Sequence, residues 1–214
     1  MIQRFLSLSL FLTLFGLAQG AAAAEAQARL QRFVADVQTL SAQFEQIQYD
    51  EQGSEVGRRA GSFDLARPGR FKWHYRTPYE QLMLSDGTKI WNYEPDLAQV
   101  SVRDAAQILR DTPAALLAGG DLDKTFAVVD GGVEGETQKL RLEPKTADAD
   151  IRLIELWLQA NGVPQRMRLH DPLGGISDIR FSAVTRNAKL AGSVFEFKPP
   201  KGVEVVDFDA AAPQ

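Results

Sequence analysis

The sequence GSFDLARPGRFKW, residues 61–73, contains two short alternating segments separated by a turn. In the first segment Phe63 and Leu65 fall on one face, because successive side chains of a β-strand point to opposite sides. A Pro-Gly pair then breaks the pattern, and Phe71 and Trp73 share one face of the second segment. The stretch therefore predicts two neighbouring strands, each with one apolar and one polar face.

The alternation continues on both sides of this stretch. From Ser41 to Val206 we count about eleven to twelve such segments, most of them separated by turn residues such as Asp86-Gly87. A further turn is expected at residues 130–132. The strands expected in the second half of the chain are 126–129, 139–142, 151–158, 165–170, 176–184, 194–197 and 203–206.

Two regions depart from this period and favour helices. Near the N-terminus, apolar residues recur at the spacing of one helical face, which predicts an amphipathic helix. Further helical turns are expected between residues 104 and 125, where Thr112-Pro113 is a typical helix start and Gly119-Gly120 a typical stop. The apolar positions of these helices are Leu30, Phe33, Val34, Val37 and Leu40, followed by Leu116 and Leu117.

Together these patterns favour a mainly β fold of the α+β class. A strongly curved antiparallel sheet of about eleven strands satisfies the two-residue period. Two or three short helices on its concave face satisfy the helical period. The sequence has no Pro/Ser-rich linker, low-complexity tract or convincing repeat that would divide it, so a single domain over residues 25–214 is expected.

The first 24 residues have the composition of a secretory signal peptide. A cationic start precedes an uncharged apolar run over residues 5–18, and residues 21–24 offer small side chains for cleavage. An uncleaved anchor is the alternative, but it would need a longer run and a firmer stop. The mature protein is therefore expected to be exported, which places it in the periplasm of a bacterium with two membranes.

Composition argues against several classes of function. The 214 residues include 24 basic and 28 acidic side chains, so no basic surplus favours nucleic-acid binding. The absence of cysteine removes thiolate metal sites, thiol nucleophiles and lipid anchors, and two histidines are too few for a rich imidazole site. Neither a Gly-x-Ser-x-Gly elbow nor a P-loop is present. We therefore expect no enzymatic activity, no metal and no cofactor.

Arg67 is the most informative polar residue of the opening stretch. If the strand runs straight past Phe63 and Leu65, the alternation points Arg67 inward. An inward guanidinium needs acceptors, and the unpaired carbonyls at the end of a covering helix would supply them. If the strand bends at Ala66, Arg67 is simply exposed. The residues alone leave both alternatives open.

Several spaced motifs, in one order, resemble the family of periplasmic outer-membrane lipoprotein carriers, the LolA family. The resemblance extends over residues 30–206, and its most specific block is residues 67–73. The other matching motifs are Leu30-x-x-Phe33, Leu40-x-Ala42-x-Phe44-x-Gln46, Pro78, Ser85-Asp86-Gly87, Trp91-x-Tyr93, Thr112-Pro113, Asp171, Phe195-x-Phe197 and Pro199-Pro200-x-Gly202-Val203.

The resemblance implies an unclosed antiparallel β-barrel with a helical lid and no catalytic step. Members of this family accept acylated lipoproteins from the inner-membrane ABC transporter LolCDE and deliver them to the outer-membrane receptor LolB. The same cargo and partners are expected here, for a monomer in the periplasm. LolB shares the architecture but needs a lipidated N-terminal cysteine, which this chain lacks.

The resemblance also implies roles for individual residues. Arg67 occupies the position of the family's lid-latching arginine, and Phe71 occupies the aromatic position tied to cargo handling. The lid is expected to include Leu30, Phe33, Val34, Val37, Leu116 and Leu117. The acyl-binding cavity is expected to be lined by Phe44, Phe63, Leu65, Phe71, Trp73, Leu82, Leu84, Trp91, Tyr93, Ile154, Leu156, Met167, Leu169, Ile179 and Phe181.

Two other functions compete with the carrier. A related periplasmic module that binds or senses lipids or lipoproteins would have the same shape and different cargo, although the block at residues 67–73 favours the carrier. A periplasmic hydrolase would need a nucleophile and a base that converge on the pocket. His74 and His170 lie in no recognisable catalytic motif.

Overall fold

The structure, a computed structural model, describes residues 25, 27–108, 117–118, 125–146 and 151–209. Helix α1 covers residues 27–36 and helix α2 covers Ala105–Ile108. No helix in these ranges combines the length and apolarity needed to cross a membrane. The strands are β1 (Thr39–Tyr49), β2 (Glu55–Ala66), β3 (Arg70–Thr77), β4 (Gln81–Asp86), β5 (Lys89–Glu94), β6 (Gln99–Asp104), β7 (Phe126–Glu134), β8 (Thr137–Pro144), β9 (Leu153–Leu158), β10 (Pro164–His170), β11 (Ile176–Arg186) and β12 (Glu204–Asp207).

These strands form one sheet in the order β12-β6-β5-β4-β3-β2-β1-β11-β10-β9-β8-β7. Strands β1 to β11 pair antiparallel with one another, and β12 pairs with β6 in parallel. Strands β7 and β12 are the two edges, so the described sheet does not close into a barrel. The prediction of a mainly β fold with an unclosed antiparallel sheet is confirmed, with twelve described strands where about eleven were expected, and only the last strand is parallel to its neighbour.

One face of the sheet, called the inner face below, packs against α1. Phe63 on β2 is paired with Ala42 on β1 and with Trp73 on β3. All three side chains belong to one hydrophobic core together with Phe33 of α1. The alternation predicted for residues 61–73 is therefore confirmed, and its apolar phase faces the helix.

Strands β2 and β3 come unusually close at Gly61. The pairing slips here, so that Ala60 lies opposite Thr77 while Gly61 lies opposite Tyr75. A β-carbon added at Gly61 would overlap the backbone carbonyl of His74. Only glycine fits this irregularity, because any side chain would push the two strands apart.

A separate apolar cluster lies on the opposite face of the sheet, called the outer face. Leu84 of β4 is paired with Lys72 of β3 and with Trp91 of β5, and Lys72 falls between two inward-facing positions of its strand. The rings of Trp91 and Tyr93 each lie 5.7 Å from the ring of Phe197, centroid to centroid. The segment after β11 therefore covers this part of the outer face.

This placement corrects the expectation that Leu82, Leu84, Trp91 and Tyr93 line the inner cavity. All four lie on the outer face, and the inward position of β4 between the two leucines is Met83. Strand β4 is covered on both faces, which fits its three consecutive apolar residues. A strand of that kind has no polar phase to show which side faces the core.

Three local predictions are also wrong. Helix α1 ends at residue 36, so Leu40 belongs to β1, although its side chain still joins the core. The glycines at 131–132 lie inside β7, where they form an irregularity in its pairing with β8, and the chain turns at residues 135–136 instead. The strand expected at 194–197 is replaced by the 3₁₀ turn Gly192–Phe195.

Candidate functional site

Helix α1 buries its apolar side on the inner face. Leu30 is 3% exposed and Phe33 and Val37 are fully buried, while Val34 is partly buried against the same core. The backbone of the helix rests on the turn between β9 and β10, where Gly162 lies close to the backbone nitrogen of Phe33. The side chains expected to form the first half of the lid therefore fill the space above the sheet.

Part of the second predicted helical region also reaches this core. Leu117 and Ala118 are helical and buried in the same cluster as α1. The carbonyl of Ala118 accepts a hydrogen bond from the backbone nitrogen of Gly69, at 3.5 Å. Leu116, the other lid residue expected here, lies outside the described residues, as do Thr112-Pro113 and the signal segment.

The end of α1 is tied to the sheet by two side chains. Asn187 accepts a hydrogen bond from the backbone nitrogen of Gln38 and donates one to the carbonyl of Asp36, both at 2.8 Å. Arg67 donates from Nε to the carbonyl of Val37 at 2.7 Å. The carbonyls of Asp36 and Val37 are among the groups that the C-terminal end of a helix leaves without internal partners.

The Arg67 side chain points inward, which is one of the two alternatives that the sequence left open. Its guanidinium carbon lies 5.0 Å from the centre of the Phe33 ring. Both terminal nitrogens of Arg67 are buried and have no hydrogen-bond partner among the described residues. Burial lowers the pKa of the Arg67 guanidinium to about 10, so the group remains a cation at neutral pH.

An aromatic wall occupies the centre of the inner face. Trp73 lies 4.9 Å from Phe44 and 4.8 Å from Phe63, between ring centroids, and 6.1 Å from Phe181. Tyr75 meets Phe44 edge-on at 5.1 Å. The indole nitrogen of Trp73 is buried and has no hydrogen-bond partner within the described ranges. The wall is thus apolar except for one unused donor.

Polar side chains continue the inner face beyond this wall, at the end away from Arg67. Tyr75 donates to the amide oxygen of Gln46 at 2.9 Å, and Gln46 donates to Ser177 at 3.2 Å. The guanidinium of Arg59 lies 3.6 Å above the Tyr75 ring and donates to Gln81 at 2.6 Å. Burial raises the pKa of the Tyr75 phenol, which keeps it neutral. We call these five residues the polar row.

Most of the expected cavity residues do lie on the inner face and belong to its core or pack against it. They are Phe44, Phe63, Leu65, Phe71, Trp73, Ile154, Leu156, Met167, Leu169, Ile179 and Phe181. Further members of this core were not among the expected cavity residues. Alternation on β1, β8 and β9 could have supplied Ala42, Leu140, Leu142 and Leu158, whereas Met83 lies on β4, which has no polar phase. The polar row was not expected. In the sequence, a polar residue on a strand indicates a side chain that faces solvent, even where the strand turns that position toward the inner face.

The two histidines lie away from the inner face. His74 contacts Glu80 at 2.9 Å and His170 contacts Glu155 at 3.0 Å, both on outward phases of their strands. In the part of the chain that the structure describes, no group of three or more histidine, aspartate or glutamate side chains could hold a metal ion. The site is therefore an apolar surface under a helix, with donors at its margin.

Comparison with known proteins gives a consistent result. A family model described as "Outer membrane lipoprotein carrier protein LolA" matches residues 35–198. A protein named outer-membrane lipoprotein carrier protein from Nitrosospira multiformis is 38% identical over 178 residues, which cover 83% of this chain and 86% of the relative. One of the same name from Bordetella avium is 40% identical over 197 residues, 91% and 94% of the two chains. The crystal structure of an uncharacterized conserved protein from Thermus thermophilus shares the fold at 15% identity, with a TM-score of 0.59 over 86% of this chain and 99% of that chain.

Proposed function

The chain belongs to the LolA family of outer membrane lipoprotein carrier proteins, and we propose that it carries acylated lipoproteins through the periplasm. The observation that supports this most directly is an apolar inner face that the chain covers with its own helix. Leu30 and Phe33 take the place that acyl chains would occupy. A ligand that displaces them exchanges one set of apolar contacts for another, so binding remains reversible.

The energetics require such an exchange. Each buried methylene contributes about 0.8 kcal/mol, so one long acyl chain carries on the order of 10 kcal/mol of apolar burial. A lipoprotein cannot cross water with its chains exposed at that cost. A carrier that gained the full amount would not release its cargo. Opening the lid separates α1 from the inner face, and the free energy of that separation offsets part of the gain.

We assign the latch of this lid to Arg67. Its hydrogen bond to Val37 joins β2 to the end of α1, and its guanidinium, whose two terminal nitrogens have no partner among the described residues, lies near the Phe33 ring. A hydrogen bond from a charged donor contributes about 1–3 kcal/mol, which favours the closed state and therefore release. Phe71, fully buried on the adjacent strand, is proposed as the aromatic contact for cargo.

The partners and location follow from the family. The cargo enters from the inner-membrane transporter LolCDE and leaves to the outer-membrane receptor LolB. We propose a periplasmic monomer made of residues 25–214, exported by the segment 1–24, which acts by binding and release without catalysis. Copurification of triacylated lipoprotein from the periplasm would support this function, whereas turnover of ester or glycan substrates would support a hydrolase.

The latch is tested by the substitution Arg67→Leu. We expect the variant to keep its cargo and to deliver about tenfold less of it to LolB. Loss of the Arg67 hydrogen bond destabilises the closed, empty state, which competes with the open, loaded state. The measurement is transfer of a labelled lipoprotein from the purified loaded carrier to soluble receptor.

Arg58→Leu is the matched control for this experiment. Arg58 lies on the same strand, exposed, and pairs only with Glu55 among the described residues. Its loss should leave transfer unchanged. Undiminished transfer by the Arg67 variant would remove the latch from the proposal, and thermal unfolding of both variants shows whether they are folded.

A further inference from the structure

The polar row follows the aromatic wall along the inner face, and the lid and latch do not use it. Its members come from five different strands that the register places side by side: Ser177 on β11, Gln46 on β1, Arg59 on β2, Tyr75 on β3 and Gln81 on β4. Hydrogen bonds and the stacking of Arg59 on Tyr75 connect them into one chain of polar groups. The inner face therefore changes from apolar to polar across a single margin.

Arg59 is the strongest donor of this margin. Its guanidinium offers five N–H groups, of which one is used in the described structure, toward Gln81. Within the described ranges Arg59 forms no ion pair, unlike its neighbour Arg58, which pairs with Glu55. The flat group lies on the Tyr75 ring at 3.6 Å, so its orientation is fixed. The side chain is only partly buried, so its remaining N–H groups are accessible to an acceptor on a ligand.

The indole of Trp73 provides a second, independent observation. Its Nε1–H is buried in the wall next to the polar row, on the side of Tyr75, and makes no hydrogen bond of good geometry with a described residue. A buried donor without a partner costs stability. A carbonyl oxygen of a bound ligand would complete the hydrogen bonding of this donor.

Acylated lipoproteins supply acceptors of one kind at this point of the molecule. Their chains are attached to the N-terminal cysteine by glyceryl esters and by an amide, and each linkage carries a carbonyl at the head of the methylene chain. When the methylenes lie on the aromatic wall, those carbonyls lie at its margin. A carbonyl removed from water there needs a donor.

We propose that the polar row and Trp73 Nε1 form a subsite for the acyl carbonyl groups of the cargo, with Arg59 as its main donor. The subsite fixes how deep the chains enter and lets the protein distinguish acyl from alkyl chains. This inference rests on the proposed carrier function. Phospholipids carry the same glyceryl esters, so the experiment includes them separately.

The test compares two ligands that differ only in their two ester carbonyls. One is a fluorescent cysteinyl peptide with N-palmitoyl and S-dipalmitoylglyceryl groups, and the other replaces both esters with ethers. Affinities are measured by fluorescence anisotropy with the mature chain. We expect it to bind the ester form at least about tenfold more tightly, the effect of one hydrogen bond from a charged donor. A dipalmitoyl phospholipid is added as a competitor, and weak competition would assign the site to lipopeptide rather than to glyceryl esters in general.

Two substitutions locate the donors, and a third controls for them. In Arg59→Met the ratio of the two affinities should fall toward one, because affinity for the ester form falls much more than affinity for the ether form. Trp73→Phe should lower this ratio by a smaller factor. Arg58→Met, one residue away on the opposite face, should keep the full preference. A merely structural role for Arg59 would lower both affinities equally.

The outcomes separate this inference from the function on which it rests. If the unaltered protein binds both ligands equally, the carbonyl subsite is wrong and the carrier function stands. A preference that survives both substitutions also overturns the subsite. Failure to bind either ligand would overturn the carrier function itself. The comparison of ligands on the unaltered protein needs no variant, so a substitution that impairs folding leaves the test intact.

Discussion

Asp178 on β11 holds two guanidinium groups against the outer face. Its carboxylate accepts hydrogen bonds from Nε of Arg166 at 2.8 Å and from Nε of Arg168 at 2.9 Å. Both guanidinium groups lie near the Trp157 ring, at 4.7 Å and 5.8 Å from its centre. Burial by itself raises the pKa of the Asp178 carboxyl, but the bonds from the two arginines outweigh it and hold that pKa below its ordinary value. The cluster therefore remains charged at neutral pH.

Asp178→Ala should destabilise the protein by about 3 kcal/mol at pH 7, because it leaves two partly buried cations without their counterion. A depressed carboxyl pKa contributes stability that is present above about pH 4 and is lost as the pH falls through the folded-state pKa. The difference between variant and parent should therefore shrink at pH 3. Urea denaturation at both pH values measures it.

Asp96→Ala serves as the control, since Asp96 is exposed in a 3₁₀ turn. Its loss should change the free energy of unfolding by less than about 0.5 kcal/mol. An equal loss of stability for Asp178→Ala at pH 3 and pH 7 would contradict the role assigned to its charge. Binding of acylated peptide should be unaffected in both variants, because the cluster lies on the outer face.

At the scale of elements, β4 lies between the apolar core on the inner face and the apolar cluster on the outer face. Met83 points to the inner face and packs against the core below α1. Leu84, the next residue, is buried on the outer face, where it is paired with Trp91. The two side chains have similar sizes and share one strand, so they form a matched pair for testing which face binds cargo.

Leu84→Ala should lower the free energy of unfolding by about 2–4 kcal/mol, the usual cost of a cavity in a core, and leave the affinity for acylated peptide unchanged. Met83→Ala should weaken that affinity, because it removes contact area from the inner face. Unfolding in urea and binding by anisotropy are measured on both. If the Leu84 variant binds acylated peptide more weakly and the Met83 variant does not, the acyl site lies on the outer face.

At the scale of the whole molecule, α1 is the element that competes with cargo. Its packing on the sheet is a main source of its stability, since short isolated helices are marginal in water. Its tertiary contacts include the apolar side chains on the inner face and the bonds of Arg67 and Asn187 at its end. Cargo bound on the inner face would replace the packing of the apolar side chains of α1.

Hydrogen exchange should show this competition directly. Amides of residues 27–36 should exchange faster in the protein loaded with acylated peptide than in the free protein, while amides in β1 and β11 should not. The measurement is mass spectrometry of peptides after exchange. Slower exchange in residues 27–36 of the loaded protein would mean that the helix closes over cargo instead of yielding to it.

Local properties of the chain were enough to predict the fold class, nearly every strand, the first helix and the family. Hydrophobic periods and turn residues carry this information within a few residues of each position. Most inner-face residues could be predicted because a strand with one polar face shows which phase is buried, as β2 does with Phe63 and Leu65.

Three features became visible only in the folded molecule: which side of β4 and β5 faces the cavity, which way Arg67 points, and that the polar row lies on the inner face. The first two depend on what a distant segment covers, Phe197 on the outer face and α1 above Arg67. The third depends on register, which brings five strands together at one margin. Burial is a property of two surfaces in contact, and a single strand carries the pattern of only one of them.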